Sequence, residues 1–297
     1  MDPWGGAGAA LVDDGDMTLA STIEGHGPPL VLLHGLGSSR SVWRPVVSAL
    51  AEDFTVIAVD LPGHGDSPPL PPGADAAPAG LAGSVAALLD SLGPDTSVPV
   101  DVVGNSLGGW VALELGRRSR ARSVTALAPA GFWRGDVIPV VAHVNRWASR
   151  ALAPVAAPLL KVRPLRAIGF WSASADAADM DPQLALDAVR AHAGARGWAA
   201  ALAGVHGRHC DATDIPASIP VTVVWGDQDR ILPASAFEIR DGAPAHARWV
   251  KLSRCGHVPM WDQPERTVQL IRQTVAAAPP APPATSRRRA GAGSGTG

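Results

Sequence analysis

Tyrosine is absent from this chain and cysteine nearly so, with Cys210 and Cys255 as the only thiols in 297 residues. Two cysteines without a Cys-x-x-Cys pattern exclude a disulfide framework and a cysteine-based metal site. Net charge is also scarce, at −2. A nucleic-acid binder needs a basic face, and the one dense cationic cluster, Arg287-Arg288-Arg289, sits in a tail rich in Pro, Ala and Gly. No apolar run approaches the roughly 20 residues of a membrane span. The opening Met1-Asp2-Pro3-Trp4 has neither the basic start nor the apolar stretch of a secretory signal, so cytoplasmic residence is the expectation. His206 and His209 beside Cys210 and Asp211 lack a second ligand cluster and are expected to form a polar loop, so no metal and no cofactor are expected.

What the chain does have is 46% hydrophobic residues, enough to bury a sizeable core, arranged as alternating strand and helix patterns. Strands are predicted at 18–23, 30–33, 55–59, 100–103, 123–128, 221–225 and 248–252, and helices near 41–50, 79–91, 107–118, 234–240 and 264–276. This alternation predicts an α/β fold with a mostly parallel sheet covered on both faces. Between Ala130 and His206 strand-like runs give way to helical stretches, Val137 to Arg150 and Pro182 to Ala203. Residues 1–16 read as an N-terminal extension and 277–297 as a disordered tail.

The most informative stretch is Gly104-Asn105-Ser106-Leu107-Gly108, directly after the apolar run Val100 to Val103. Gly-x-Ser-x-Gly between a strand and a helix describes a sharp turn that presents the serine as a nucleophile. Glycines two residues either side make room where strand and helix meet, and the Leu107 N–H at the helix start can donate to an oxyanion. Alone, the pattern fits a plain strand-to-helix turn equally well, but three further segments weigh against that. His34-Gly35-Leu36-Gly37 follows the strand at 30–33 and can bring the Leu36 N–H beside Ser106, with His34 as a packing and hydrogen-bonding residue. Gly226-Asp227-Gln228-Asp229 follows the strand at 221–225 and delivers carboxylates to the sheet's carboxyl end. Asp229 is the catalytic choice, and Asp227 a turn former. Cys255-Gly256-His257-Val258-Pro259 makes a loop from which His257 can reach Ser106.

Together these residues resemble the α/β-hydrolase superfamily, from Leu30 to Gly131 and from Val221 to Ala276. Asp60-Leu61-Pro62-Gly63-His64-Gly65-Asp66-Ser67 and Trp261-Asp262-Gln263-Pro264-Glu265 add to the likeness. The resemblance implies an α/β-hydrolase core at 17–131 and 206–276 with a helical cap at 132–205. It also implies Ser106 as nucleophile, His257 as general base then acid, Asp229 as its orienting carboxylate, and Leu36 and Leu107 as main-chain oxyanion donors. The expected activity is hydrolysis of a carboxylic ester of a small or medium apolar substrate through an acyl-enzyme. Carbon–carbon bond hydrolases and cofactor-free perhydrolases share the triad, and a triad-bearing ligand receptor or scaffold is the alternative of another class. Trp133, Trp147, Phe170, Trp171 and Trp198 fall in the expected cap, where an apolar cleft would select substrate.

Overall fold

The computed structural model describes residues 18–133 and 140–280. Seven strands form one sheet: β1 (Ser21–Glu24), β2 (Pro29–Leu33), β3 (Thr55–Val59), β4 (Val100–Asn105), β5 (Ala121–Leu127), β6 (Val221–Gly226) and β7 (Arg248–Leu252), in the spatial order β1-β3-β2-β4-β5-β6-β7. Only β1 runs antiparallel to its neighbour; all other pairings are parallel. Leu30 to Leu33 are fully buried, as expected of a parallel strand covered on both faces. The outer strand β7 instead exposes Arg248 and Lys251, charges that discourage edge pairing with another chain.

Alternate residues of each central strand feed two apolar layers. Val31, Leu33, Ile57 and Val59 pack with helices α2 (Pro78–Ser91) and α3 (Leu107–Arg117). Leu30, Leu32, Val56 and Ala58 face the other way, toward α1 (Arg44–Leu50) and, beyond the inserted helices described next, α8 (Pro264–Ala276). Between β5 and β6 lie α4 (Val140–Leu152), α5 (Arg163–Phe170), α6 (Pro182–Gly194) and α7 (Trp198–Val205), joined by short turns.

Three departures from the sequence expectations have local causes. The helix expected over 182–203 is two helices, because Gly197 docks on the turn after β3. Its N–H donates to Gly63 O at 2.7 Å, and a Cβ there would stand 2.5 Å from Pro62 O. The helix expected at 234–240 is one turn, Ala234–Phe237, followed by a 3₁₀ turn at Arg240–Gly242. Helix α5, bracketed by Pro164 near its start and Gly169 near its end, was not expected at all. Residues 137–139 of the expected helix at 137–150, the extension 1–16 and the tail from 281 lie outside the described residues.

The turn after β3 is tied to the loop after β2 by buried polar groups. Arg40 N–H donates to Asp60 Oδ1 at 2.6 Å, its guanidinium pairs with both Asp60 and Asp66, and Asp66 N–H donates to Asp60 Oδ2 at 3.0 Å. Gly65 is required here, since a Cβ would lie 2.1 Å from Asp60 Oδ2. His34 accepts the Leu61 N–H at Nε2, 3.0 Å, and its Nδ1 lies 2.8 Å from Gly35 O, so it is the Nδ1–H tautomer. Its ring packs against that of His64, centroids 5.3 Å apart and planes tilted by 52°.

Burial lowers the His34 pKa to about 4 and that of His64 to about 3, the latter also through its neighbour His34. Both are therefore neutral in the fold, while an unfolded histidine takes up a proton near pH 6.5. Below that pH the unfolded chain binds protons the folded chain refuses, so stability falls as pH drops from about 6.5 toward 4. Urea midpoints should be flat from pH 7 to 8 and decline through pH 6 and 5, with a shallower decline for His64→Gln. A midpoint independent of pH across that window contradicts the assignment.

Candidate active site

Strand β4 ends at Asn105, and the next residue, Ser106, sits at φ 55°, ψ −118°, a conformation that L-residues adopt only when their surroundings impose it. The surroundings do so through hydrogen bonds. Ser106 N–H donates to Leu127 O at 2.9 Å, and Ser106 O accepts from Ala130 N–H at 3.0 Å and Trp110 N–H at 3.2 Å. The flanking glycines let the backbones close. A Cβ at Gly104 would lie 2.0 Å from Gly108 O, and one at Gly108 would lie 2.2 Å from Leu33 O. Helix α3 therefore begins against the end of β2, with the Leu107 N–H among the first-turn donors that no carbonyl within the helix can reach.

The loop after β2 crosses directly over the serine. A Cβ at Gly35 would come 3.0 Å from Ser106 Cβ, and Leu36 lines the same cavity as Ser106 and Leu107. Gly37, at φ 76°, gives the loop its turn and lies against the His192 ring.

Asp229 and His257 are brought together from two different loops. His257 Nδ1 is 2.7 Å from Asp229 Oδ2, with both side chains buried. The second oxygen, Oδ1, accepts the N–H groups of Ile231 at 2.9 Å and Leu232 at 2.7 Å, which fixes the carboxylate's plane. With Nδ1–H donating to the carboxylate, Nε2 is the basic nitrogen, and His257 lines the cavity that Ser106 lines. Asp227, expected to form its turn, instead ties that turn to the neighbouring strand and loop, its N–H donating to Leu252 O and its Oδ1 accepting the Cys255 N–H of the histidine loop.

Two site residues take roles that only the folded chain discloses. The Asn105 amide donates to Leu127 O at 3.1 Å and to His257 O at 3.0 Å, so the residue before the serine staples the histidine loop to the elbow. Asp262 accepts the Gly256 N–H at 2.7 Å, the Ala175 N–H at 3.0 Å and the Ser174 hydroxyl at 2.5 Å. The stretch before α6 is thus clasped to the histidine loop, a contact tightened by Val258 N–H donating to Ala173 O. Asp262 stands in the Trp261-Asp262-Gln263-Pro264 stretch, which was its only sequence signal.

Above these groups lies a cavity of about 490 Å³, walled by apolar side chains of the inserted helices, among them Leu152, Leu160, Phe170 and Val205. Trp133, Phe170 and Trp198 line it, whereas Trp147 and Trp171 point to solvent. Asn145, Ser172 and His192 are among the few polar exceptions. Burial and the nearby Arg146 lower the His192 pKa to about 4, so this ring is neutral near pH 7, and its Nε2 has no hydrogen-bond partner. Among the described residues no cluster could hold a metal ion, and His209 is occupied by Trp133 O at 2.8 Å. Both thiols are buried and free, with burial pushing their pKa values up and making them inert.

A parallel sheet with an elbow serine, a buried histidine–carboxylate pair and a cavity at the carboxyl ends of its strands defines a hydrolase-type α/β protein. Residues 30–270 match the alpha/beta hydrolase family, and the chain belongs to it. It is similar to epoxide hydrolase EphH of Mycobacterium tuberculosis, 36% identical over 64% of this chain and 91% of that one. It is also similar to a pimeloyl-[acyl-carrier protein] methyl ester esterase of Aeromonas hydrophila, 30% identical over 84% of this chain and 96% of the relative. Among solved structures, a thermophilic esterase from Thermogutta terrifontis superposes with a TM-score of 0.64 at 25% identity, over 89% of this chain and 95% of that one.

Two substitutions probe this architecture. Gly108→Ala gains up to about 1 kcal/mol of helix propensity but forces a methyl into Leu33 O, a clash worth about 3 kcal/mol. A net loss of stability in urea unfolding is therefore expected, and a gain would show that helix and strand can separate. Asn105→Ala removes the donor to the His257 carbonyl, while Leu127 O keeps the Ser106 N–H, and should cost about 1–3 kcal/mol. It should also mobilise the His257 backbone, read as a broadened histidine-loop amide resonance that the wild type lacks.

Proposed function

We propose that this chain is a serine hydrolase of carboxylic esters bearing an apolar acyl or alcohol group. The observation that carries this is the buried His257–Asp229 hydrogen bond facing one cavity with Ser106 at its strained elbow. His257 Nε2 takes the hydroxyl proton as Ser106 Oγ attacks the ester carbonyl. The Leu36 and Leu107 N–H groups receive the oxyanion, each donor typically worth about 3–4 kcal/mol of barrier. The proton passes to the departing alcohol, leaving acyl-Ser106. Water, deprotonated by the same nitrogen, then releases the acid and restores the hydroxyl. Asp229 holds the tautomer and stabilises the imidazolium without itself being protonated.

Residues 132–205 act in this scheme as a cap over the 17–131 and 206–276 core, and their apolar lining favours a hydrocarbon chain over a polar group. The substrate is a small molecule, and no step of the scheme calls for a cofactor or a metal. The likeness to an epoxide hydrolase does not extend to that chemistry. A serine oxygen opening an epoxide would form an ether, which water activated by a histidine does not cleave. An acyl-serine, by contrast, is an ester and turns over. The named esterase relatives agree with that choice.

Purified protein should react with a fluorophosphonate probe at Ser106 and hydrolyse p-nitrophenyl esters with an optimum acyl length set by the cavity. Ser106→Ala should lower kcat by about 10⁶, and Asp229→Asn by about 10⁴ with the fold intact. Near-full turnover by the Ser106→Ala variant would refute the mechanism.

A further inference from the structure

The exposed large hydrophobic side chains of the described residues, Ile23 aside, all lie between Val144 and Trp171. Trp147 is 74% exposed and Ile168 70%, and Val144, Val155 and Val162 are each about half exposed. The concentration is far from the scattered apolar exposure of an ordinary surface. Leu152, Leu159, Leu165 and Ile168 are exposed and also line the cavity above Ser106, so the cavity reaches the surface within this patch.

Charge in the same stretch has one sign. From Val140 to Ala175 the sequence carries five basic side chains and no acidic one, although the whole chain is slightly acidic. Arg150, Lys161 and Arg163 are exposed among the apolar groups, Arg163 pairing with Asp179 from the following turn. This combination decides between two kinds of occupant. A two-fold pairing of copies through this face would set Arg150, Lys161 and Arg163 against the same cations, with no carboxylate in the stretch to answer them. A lipid surface with anionic headgroups offers hydrocarbon for the apolar side chains and negative charge for the cations around them.

We infer that helices α4 and α5 and the turns joining them are a docking face for an anionic lipid surface, seated so that the cavity mouth meets the acyl layer. The substrate would then be an ester dissolved in, or part of, that layer, entering through the mouth without crossing water. This last part rests on the esterase activity proposed above, while docking does not.

The test separates the two. Full-length protein is floated with vesicles of phosphatidylcholine alone and of equimolar phosphatidylcholine and phosphatidylglycerol, beside a Trp147→Ser/Val155→Ser/Val162→Ser variant. These three side chains do not line the cavity, and their exposure leaves the fold unaffected, which thermal unfolding checks. Docking predicts recovery with the phosphatidylglycerol vesicles, weakened at high salt, and at least a tenfold drop in the variant's partition coefficient. Hydrolysis of dissolved p-nitrophenyl acetate should be the same for both proteins. Docking without any ester hydrolysis would leave the lipid face standing and overturn only the enzymatic assignment. Absence of binding to either vesicle overturns the inference, as does binding that the variant retains in full. A concentration-dependent dimer that the variant abolishes, with no vesicle binding, would make the face an interface between copies.

Discussion

The close approach of three backbones at the carboxyl end of the sheet governs most of this molecule. Where β4 ends, Gly104 and Gly108 let the start of helix α3 come within van der Waals range of both its own strand and the end of β2. That proximity forces Ser106 into its positive-φ conformation and brings Gly35 against its side chain. A serine raised from the chain and a loop laid against it follow from one packing constraint, not from separate devices. The polar lattice of Arg40, Asp60, Asp66 and His34 serves the same end from the other side, holding the loop after β2 in place without using a catalytic side chain.

Much of this was legible in the sequence because parallel strands buried on both faces must be short apolar runs, and turns at their carboxyl ends must carry Gly, Asp or Pro. The five inner strands were marked in this way, and the motifs bearing Ser106, Asp229 and His257 each followed a predicted strand. What escaped depends on partners distant in the chain. Gly194 and Gly197 flank the helix break at Ala195, but what makes the second glycine necessary is the distant Pro62–Gly63 turn. Asn105 could be placed in its motif, but its acceptor is a carbonyl 152 positions away. Composition pointed to the aromatics of the inserted helices without saying which face the cavity: Trp198 does and Trp147 does not.

The relatives include proteins named for epoxide and for ester hydrolysis, and which of these chemistries an elbow side chain can complete depends on what that side chain is. A carboxylate there yields an ester from an alkyl electrophile, while a hydroxyl yields one only from an acyl donor. In both cases the second step is hydrolysis of an ester, a task that a histidine–carboxylate pair suits with either nucleophile.

The Asp262 carboxylate grips Gly256, next to His257, and also residues 174 and 175 of the inserted segment. Together with the Val258 N–H to Ala173 O bond, this carboxylate ties the inserted segment to the loop that bears His257. Ser172 and Ala173, next to the residues it holds, belong to the cavity wall. One carboxylate thus couples the shape of the cavity to the placement of the imidazole, so a disturbance of either is felt by the other.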